Sequence, residues 1–377
     1  MIYLDNCATT RVDSEVLQLF DEISEKDYFN PSSLHRWAVD VGRQIENARG
    51  RVAKILNCDK KEIVFTSGGT ESDNTILFGA TKRQKGKILV SEGEHSAVYR
   101  SVLELKNRGF ETDFIKLNAD GTVNFESLKE KMTADTQLVS ILHVNNETGA
   151  VNDIRTLCAY VKSVNPNCLF MTDGVQSFCK IETDVKKLGV DFYTFSAHKI
   201  HGPKGVGGYY AKQNLMPLIY GGGQESGHRS GTENTAGIVS FGLAAFKASE
   251  LREECAARYE SFRKEILESL RAAGLDFKVF ATDVYAPNIL TIALKNVRAE
   301  VLMRMLEEDE IIIGIGSACS SKHGRDRVMK AVRCENEYID GVVRLSFSKY
   351  LSENDIAFFQ EKFVQKAKLL ANLVAKK

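Results

Sequence analysis

Short apolar runs alternate with amphipathic stretches along the first two thirds of the chain. Residues 62–66, 87–90, 137–144, 168–172 and 190–195 are rich in β-branched and aromatic residues and end in polar or glycine-containing clusters, the pattern of buried strands. Residues 98–107 and 154–163 carry helical spacing between them. Residues 1–12 read as an extended opening strand closing at Cys7-Ala8-Thr9-Thr10. A helix is expected over 13–23, and Asn30-Pro31-Ser32-Ser33-Leu34-His35 as a loop that caps a long helix running to about Leu56. Strand–helix alternation predicts an α/β domain with a mostly parallel central sheet. A long amphipathic helix over about 249–273 marks a boundary. After it come a strand (288–294), a helix (298–308), a strand (311–316), a loop (317–325), a short helix, a strand (342–347) and a terminal helix, which together read as a smaller α/β domain. The expected division is a large domain over 13–248 and a small one over 1–12 with 249–377.

With 377 residues, 43% of them hydrophobic, the chain can bury a large core. Lys and Arg number 50, as do Asp and Glu, so the formal net charge is zero. That balance points away from direct nucleic-acid binding and from an acidic membrane surface. The start has no basic segment followed by a long apolar stretch, and no apolar run approaches the ~18 residues of a spanning helix. A cytoplasmic protein is the expectation. Eight cysteines fall at 7, 58, 158, 168, 179, 255, 319 and 334, none in a CxxC pair. They read as reduced thiols, most of them small buried apolar residues, and no metal site is predicted.

The polar motifs follow strand ends, where open α/β sheets bind ligands. Ser67-Gly68-Gly69-Thr70 is a tight turn, and Thr70-Glu71-Ser72-Asp73 reads as a capped helix start, so the pair suits a phosphate or an ordinary strand-to-helix turn. Lys199 leaves the strand over 190–195 within Ser196-Ala197-His198-Lys199, where it can form a Schiff base with an aldehyde cofactor. A phosphorylated pyridine aldehyde also needs a carboxylate at its ring nitrogen, phosphate donors and a flat partner for its face. Asp173, then Gly69 and Thr70 with Ser196 and His198, and then His95 supply these in turn. The polar glycine-rich loop over 221–232 matches no P-loop, and no GxGxxG joins a strand to a helix, so nucleotide binding is disfavoured. Arg344 stands in an otherwise apolar strand and must find an anion, either a substrate carboxylate or an internal acid. Cys319 has small neighbours and nearby cations (Lys322, His323, Arg325, Arg327), which favour an exposed thiolate, though an inert loop cysteine fits the same spacing.

Taken in order, these stretches resemble the cysteine desulfurases of the NifS/IscS type, within the class V, fold-type I pyridoxal-phosphate aminotransferases. The likeness runs from Tyr3-Leu4-Asp5-Asn6-Cys7-Ala8-Thr9-Thr10 through Glu94-His95, His143-Val144-Asn145-Asn146-Glu147-Thr148-Gly149 and Asp173-Gly174-Val175-Gln176-Ser177. It continues through Ser196 to Gly205, His228-Arg229-Ser230-Gly231-Thr232, Gly316-Ser317-Ala318-Cys319 and Val343-Arg344-Leu345-Ser346. The resemblance implies pyridoxal 5′-phosphate as cofactor, held on Lys199, with Asp173 at the ring nitrogen, Gln176 at the phenolic oxygen and His95 on the ring face. It assigns the phosphate to Gly69, Thr70, Ser196 and His198, with Thr232 reaching the phosphate of the other subunit in a homodimer. Asn146 and Arg344 would engage L-cysteine, and Cys319 would take its sulfur as a persulfide, leaving L-alanine. Transfer to an acceptor protein is implied, either an iron–sulfur scaffold or a tRNA-thiolation enzyme, with Cys319 a ligand for any transferred iron–sulfur cluster. A selenocysteine lyase, a small-substrate class V aminotransferase and a non-catalytic sulfur carrier are the alternative readings. Three features depart from the pattern: Cys7 replaces a small residue, the segment after Cys319 is basic and lacks a Leu-Glu-Pro turn, and the chain stops soon after the terminal helix. The short stretch after the terminal helix leaves both acceptor classes open.

Overall fold

The chain opens with β1 (Ile2–Leu4), whose two end residues are buried. Asp13 caps α1 (Ser14–Lys26) by accepting from the Glu15 N–H at 3.1 Å, a contact worth about 1 kcal/mol. His35 caps α2 (Arg36–Leu56), which stops where Asn57 turns into the left-handed region at φ 56°. Next come β2 (Ile63–Thr66), α3 (Gly69–Ala80), β3 (Lys87–Ser91), α4 (Ser96–Asn107), β4 (Glu111–Ile115) and α5 (Phe125–Lys131). They lead to β5 (Thr136–Ser140), α6 (Ile154–Val164), β6 (Leu169–Asp173), α7 (Val185–Leu188), β7 (Phe192–Ser196) and β8 (Gly207–Ala211). The computed structural model describes residues 1–81, 86–315 and 325–375.

Strands β2 to β8 form one seven-stranded sheet in the order β2-β8-β7-β6-β5-β3-β4. Its pairs are parallel except those of β8, which runs antiparallel to β2 and β7. The mostly parallel α/β sheet expected from the alternation is therefore present. Because β2, β3, β5, β6 and β7 run the same way, their C-terminal ends share one edge of the sheet, and the polar motifs collect there.

The boundary helix expected over about 249–273 is present, and a second helix, not among the elements expected from the sequence, precedes it. These are α8 (Thr235–Glu250) and α9 (Arg252–Ala272), separated by Leu251. Helix α8 packs across α1 and α2, burying Ile238, Phe241 and Ala245. Beyond α9 lie β9 (Phe277–Val279), β10 (Ile289–Leu294), α10 (Ala299–Glu307) and β11 (Ile311–Ile313). The chain continues through α11 (Arg325–Ala331), α12 (Asn336–Ile339), β12 (Val342–Ser346) and α13 (Glu353–Ala375). Strands β12, β10 and β9 form an antiparallel sheet, and β1 pairs in parallel with β11. One apolar cluster gathers Ile2 and Leu4 with Phe262, Leu290, Leu302, Ile311, Leu345 and Phe359. A larger one, around Phe170, Phe178, Phe195 and Phe241, fills the space under the seven-stranded sheet and extends to Phe280 and Val328.

Three expected boundaries shift. β5 leaves the sheet after Ser140, and residues 141–144, apolar except for His143, run on beyond it, where the Ile141 and His143 N–H groups donate to the Met171 and Asp173 carbonyls. β11 ends at Ile313 rather than 316. The opening strand is only three residues long, because residues 5–10 are held by a turn, by isolated main-chain bonds and by side chains rather than by a continuous ladder.

Candidate active site

A cavity of about 210 Å³ opens at the strand-end edge of the large sheet. It is lined by Gly69, Thr70, His95, Asn146, Asp173, Gln176, Ser196, His198, Lys199 and Arg344, ten of the twelve residues singled out in the sequence. Thr232 is exposed and does not reach this cavity of its own chain. Cys319 lies outside the described residues, as does the rest of the segment 316–324.

Lys199 arrives at the end of a 3₁₀ turn directly after β7. Its ammonium donates to the carbonyl oxygens of Cys7 and Ala8, the latter at 2.9 Å. The opening segment is itself strapped down, since Thr10 bonds the His198 carbonyl and Ser346 Oγ accepts from the Cys7 N–H at 2.9 Å. Burial lowers Lys199 to about 8; the Cys7 thiol opposes this, and the Lys180 and Arg344 cations reinforce it. A neutral amine is thereby accessible close to neutral pH. His198 next to it is held near 3 by burial and by the Lys199 charge, so its imidazole is neutral.

Asp173 ends β6, with one carboxylate oxygen accepting from the Val175 N–H at 2.9 Å. One ligating atom each from Asp173, Asp73 and His95 lie within 4.8 Å of one another. Burial raises both carboxyls, and the Asp173 charge raises Asp73 further. Thr194 Oγ1 donates to Asp73 at 2.9 Å. Two buried acids side by side call for a cation. The ring of His95 is fixed by its own helix: it caps α4, with Nδ1 accepting from the Ala97 N–H at 3.2 Å. Burial lowers its proton affinity, so the neutral ring carries its hydrogen on Nε2.

The turn before α3 differs from the expected cap. The helix begins at Gly69, one residue earlier, and its first residue is preceded by Gly68 at φ 153°, ψ −178°, a region open to glycine. No side chain caps this end. The Glu71 carboxylate instead turns back to the Ser67 N–H at 2.9 Å and pairs with Arg229 at 2.9 Å. Uncapped N–H groups on the cavity wall, beside Ser196 and His198, form a cradle for a dianion. A Cβ at Gly69 would come within 2.6 Å of Val175 Cγ2, so the cradle leaves no room for a larger residue.

Arg344 is 2% exposed, and of the two anions the sequence leaves open the internal acid is present. Its guanidinium donates to Asp5 Oδ1 at 2.7 Å and to the Asn146 carbonyl at 2.8 Å. The internal acid exists, yet Nε has no partner among the described residues. Arg344 therefore lines the cavity already oriented, with one donor left over. Arg327, counted among the cations near Cys319 in sequence, is itself engaged. It donates to the Glu92 and Glu94 carbonyls and lies over the Tyr99 ring at 4.3 Å, holding the loop that carries His95.

Sequence reasoning missed Asp5, Asp73, Glu94 and Lys180. Asp5 and Asp73 lie in motifs that were noted, but nothing local marks them as buried partners of residues far along the chain. Glu94 is fully buried, and burial together with the Asp173 charge pushes it up to about 8. Its neighbour His95 was the only signal.

Lysine at a strand exit, paired buried acids under a flat imidazole and an uncapped helix end define a pyridoxal-phosphate site on a fold-type I sheet. The amine, the cation-seeking acids and the dianion cradle all fit that cofactor. The Aminotransferase class-V family model matches residues 2–359, and the chain belongs to that family, among its NifS/IscS-type members. It is 40% identical over 374 residues to a NifS/IcsS protein homolog of Lactobacillus delbrueckii subsp. bulgaricus, covering 96% of this chain and 97% of that one. It is 36% identical over 363 residues to cysteine desulfurase IscS 1 of Archaeoglobus fulgidus, covering 94% of each. A solved NifS-like protein superposes with a TM-score of 0.92 at 34% identity, covering 98% of this chain and 99% of the other. Enzymes of this family depend on pyridoxal phosphate, and so does this one.

Proposed function

We propose that this enzyme is a cysteine desulfurase in which Lys199, Asp173, His95 and Arg344 act together in the cavity and Cys319 receives the sulfur. The convergence of Lys199, Asp173 and Arg344 on one cavity carries the reading. Asp173 would pair with the ring nitrogen, and His95 would lie on the ring face. The free N–H groups of α3, with Thr70, Ser196 and His198, would hold the phosphate, and Gln176 the phenolic oxygen. When bound, the cofactor supplies an electron-accepting ring that acidifies the substrate Cα–H and weakens its Cβ–Sγ bond.

The chain's own groups do the rest. Arg344 grips the L-cysteine carboxylate, and Asn146, whose carbonyl holds Arg344, lines the same wall. Lys199 Nζ, neutral above about 8, takes the Cα proton and returns one to the product. The Cys319 thiolate attacks the substrate sulfur: the S–S bond forms, the Cβ–Sγ bond breaks, and the electron pair goes to Cβ, which gains a proton. L-cysteine and the Cys319 thiol become L-alanine and a Cys319 persulfide, with no outside oxidant.

The same reading divides the chain into a domain over 13–248 and one over 1–12 with 249–377. The separate apolar cluster joining β1 to α9 through α13 supports this. It also makes the protein a homodimer. Large apolar side chains left exposed, Leu34 at 99%, Tyr220 at 71% and Trp37 at 51%, support this. The same reading makes it a cytoplasmic enzyme; among the described residues no helix is long and apolar enough to cross a membrane. The persulfide would pass to an iron–sulfur scaffold or a tRNA-thiolation enzyme. The test is alanine release from L-cysteine with a reducing thiol present. Wild type should turn over, Lys199→Ala should give none, and Cys319→Ala should lose about 100-fold or more. Unchanged turnover in Cys319→Ala would overturn the role of that thiol.

A further inference from the structure

Lys180 lies four residues past Gln176 in the turn after β6. Its ammonium donates to Gln176 Oε1 at 2.8 Å. At the other end of the same carboxamide, Nε2 donates to the Cys7 carbonyl at 3.0 Å. The two ends of a carboxamide have nearly the same shape, so partners alone decide which way it faces. A donor on the oxygen and an acceptor on the nitrogen select one orientation. Gln176 is 4% exposed and lines the cofactor cavity. With Lys180 on its oxygen and the Cys7 carbonyl on one Nε2 hydrogen, the second Nε2 hydrogen is a donor available to a ligand.

A purely structural role leaves Lys180 unexplained. Among the described residues no carboxylate pairs with it, and burial lowers its proton affinity. A sequestered ammonium without an acid partner weakens the fold. The charged and titratable groups that face it are Cys7 from the opening segment, Arg344 from β12, Cys179 from its own turn, and Lys199, His198 and His201 from the segment after β7. On its far side is a second cavity, of about 70 Å³, walled by Lys180 and Lys199. There Asp13 is already held by Lys247 and Lys349, and Arg252 adds another cation.

We propose that Lys180 is a positioning residue for the reaction: it locks the Gln176 carboxamide with its N–H presented to the anionic phenolic oxygen of the cofactor. This rests on the cofactor reading of the cavity given above. It predicts that removing the ammonium leaves the Cys7 carbonyl alone to orient the carboxamide, so the donor at the phenolic oxygen is held less well and that oxygen binds its proton more tightly.

The experiment is a pH titration of the visible absorbance of the pyridoxal-phosphate-loaded protein. In Lys180→Met the midpoint should rise by about one pH unit, and kcat should fall about tenfold with KM for L-cysteine changed less than about twofold. Lys180→Arg, which keeps donor and charge, should return the midpoint to within about 0.3 unit of wild type. In a Gln176→Leu background, adding Lys180→Met should move the midpoint less than about half as far, because the group it acts through is gone. An unmoved midpoint in loaded Lys180→Met overturns the proposal. So does an equal shift in both backgrounds, which would make Lys180 a distant charge only. Should Lys180→Met fail to accumulate, Lys180→Gln carries the same comparison with about half the shift. A wild type that takes up the cofactor yet releases no alanine would sink the desulfurase reading and leave this titration readable.

Discussion

Lys199 rests on two main-chain carbonyls, those of Cys7 and Ala8, and so is poised beside the opening segment rather than in solvent. Its proton affinity sits near 8 against an ordinary 10.5. Only the neutral amine attacks an aldehyde. Capture of pyridoxal phosphate by the apoprotein should therefore speed up about tenfold per pH unit below that value and level off above it. Stopped-flow absorbance reads this directly, and a rate still climbing toward the ordinary lysine value contradicts it. At this scale the sequence spoke through residues whose chemistry is unusual for their place. Lys199 after an apolar strand, Asp173 at a strand end and Arg344 inside a strand were each legible. Asp5 was not, because the side chain that makes it matter lies 339 residues away. Asp73 was hidden for the same reason: its bond to Thr194 spans 121 residues.

Elements carry the cradle. Helix α3 starts without a capping side chain, and its first glycine packs against Val175. Gly69→Val should weaken pyridoxal-phosphate affinity about tenfold or more while the circular dichroism of the apoprotein stays that of wild type, as equilibrium dialysis would show. An unaltered affinity would mean that the phosphate sits elsewhere. The strands that end in the site were readable because β-branched and aromatic residues give way abruptly to small polar ones. β8 was not, since it begins with Gly207 and Gly208, which lack strand propensity. The sheet itself demands them: a Cβ at Gly208 would lie 2.4 Å from the Val64 carbonyl oxygen, and one at Gly207 2.6 Å from that of Phe195. The 141–144 run misled in the opposite direction, since apolar character continued where the ladder had already stopped.

Across the whole molecule, Asp13 ties the beginning, middle and end of the chain together. Its carboxylate pairs with Lys247 from α8 and Lys349 after β12, and the Tyr350 hydroxyl donates to it at 3.2 Å. Burial alone would raise its proton affinity, but the two ammonium groups outweigh that and hold it well below its usual value of 3.8. A lowered carboxyl stabilises the fold above its unfolded value, and that contribution is lost as pH falls toward the folded value. Asp13→Asn should lower Tm near pH 7 by about 3 °C and by less near pH 2, where the unfolded chain is already protonated, measured by calorimetry. Equal losses at both would show that the packing of Asp13, not its charge, is what counts. The overall α/β architecture was legible because alternation of strands and helices is a local property. The closure of residues 5–10 over Lys199 was not, being made by side chains and carbonyls from the two ends of the chain.

Sulfur transfer to Cys319 is the claim on which the rest depends, and a single turnover tests it most directly. The cofactor-loaded protein is mixed with one equivalent of L-cysteine, quenched with an alkylating agent and peptide-mapped by mass spectrometry. The account predicts one added sulfur on the peptide that carries Cys319, in the same amount as the L-alanine released. Alanine with the added sulfur on Cys7, or with no protein-bound sulfur at all, would contradict it.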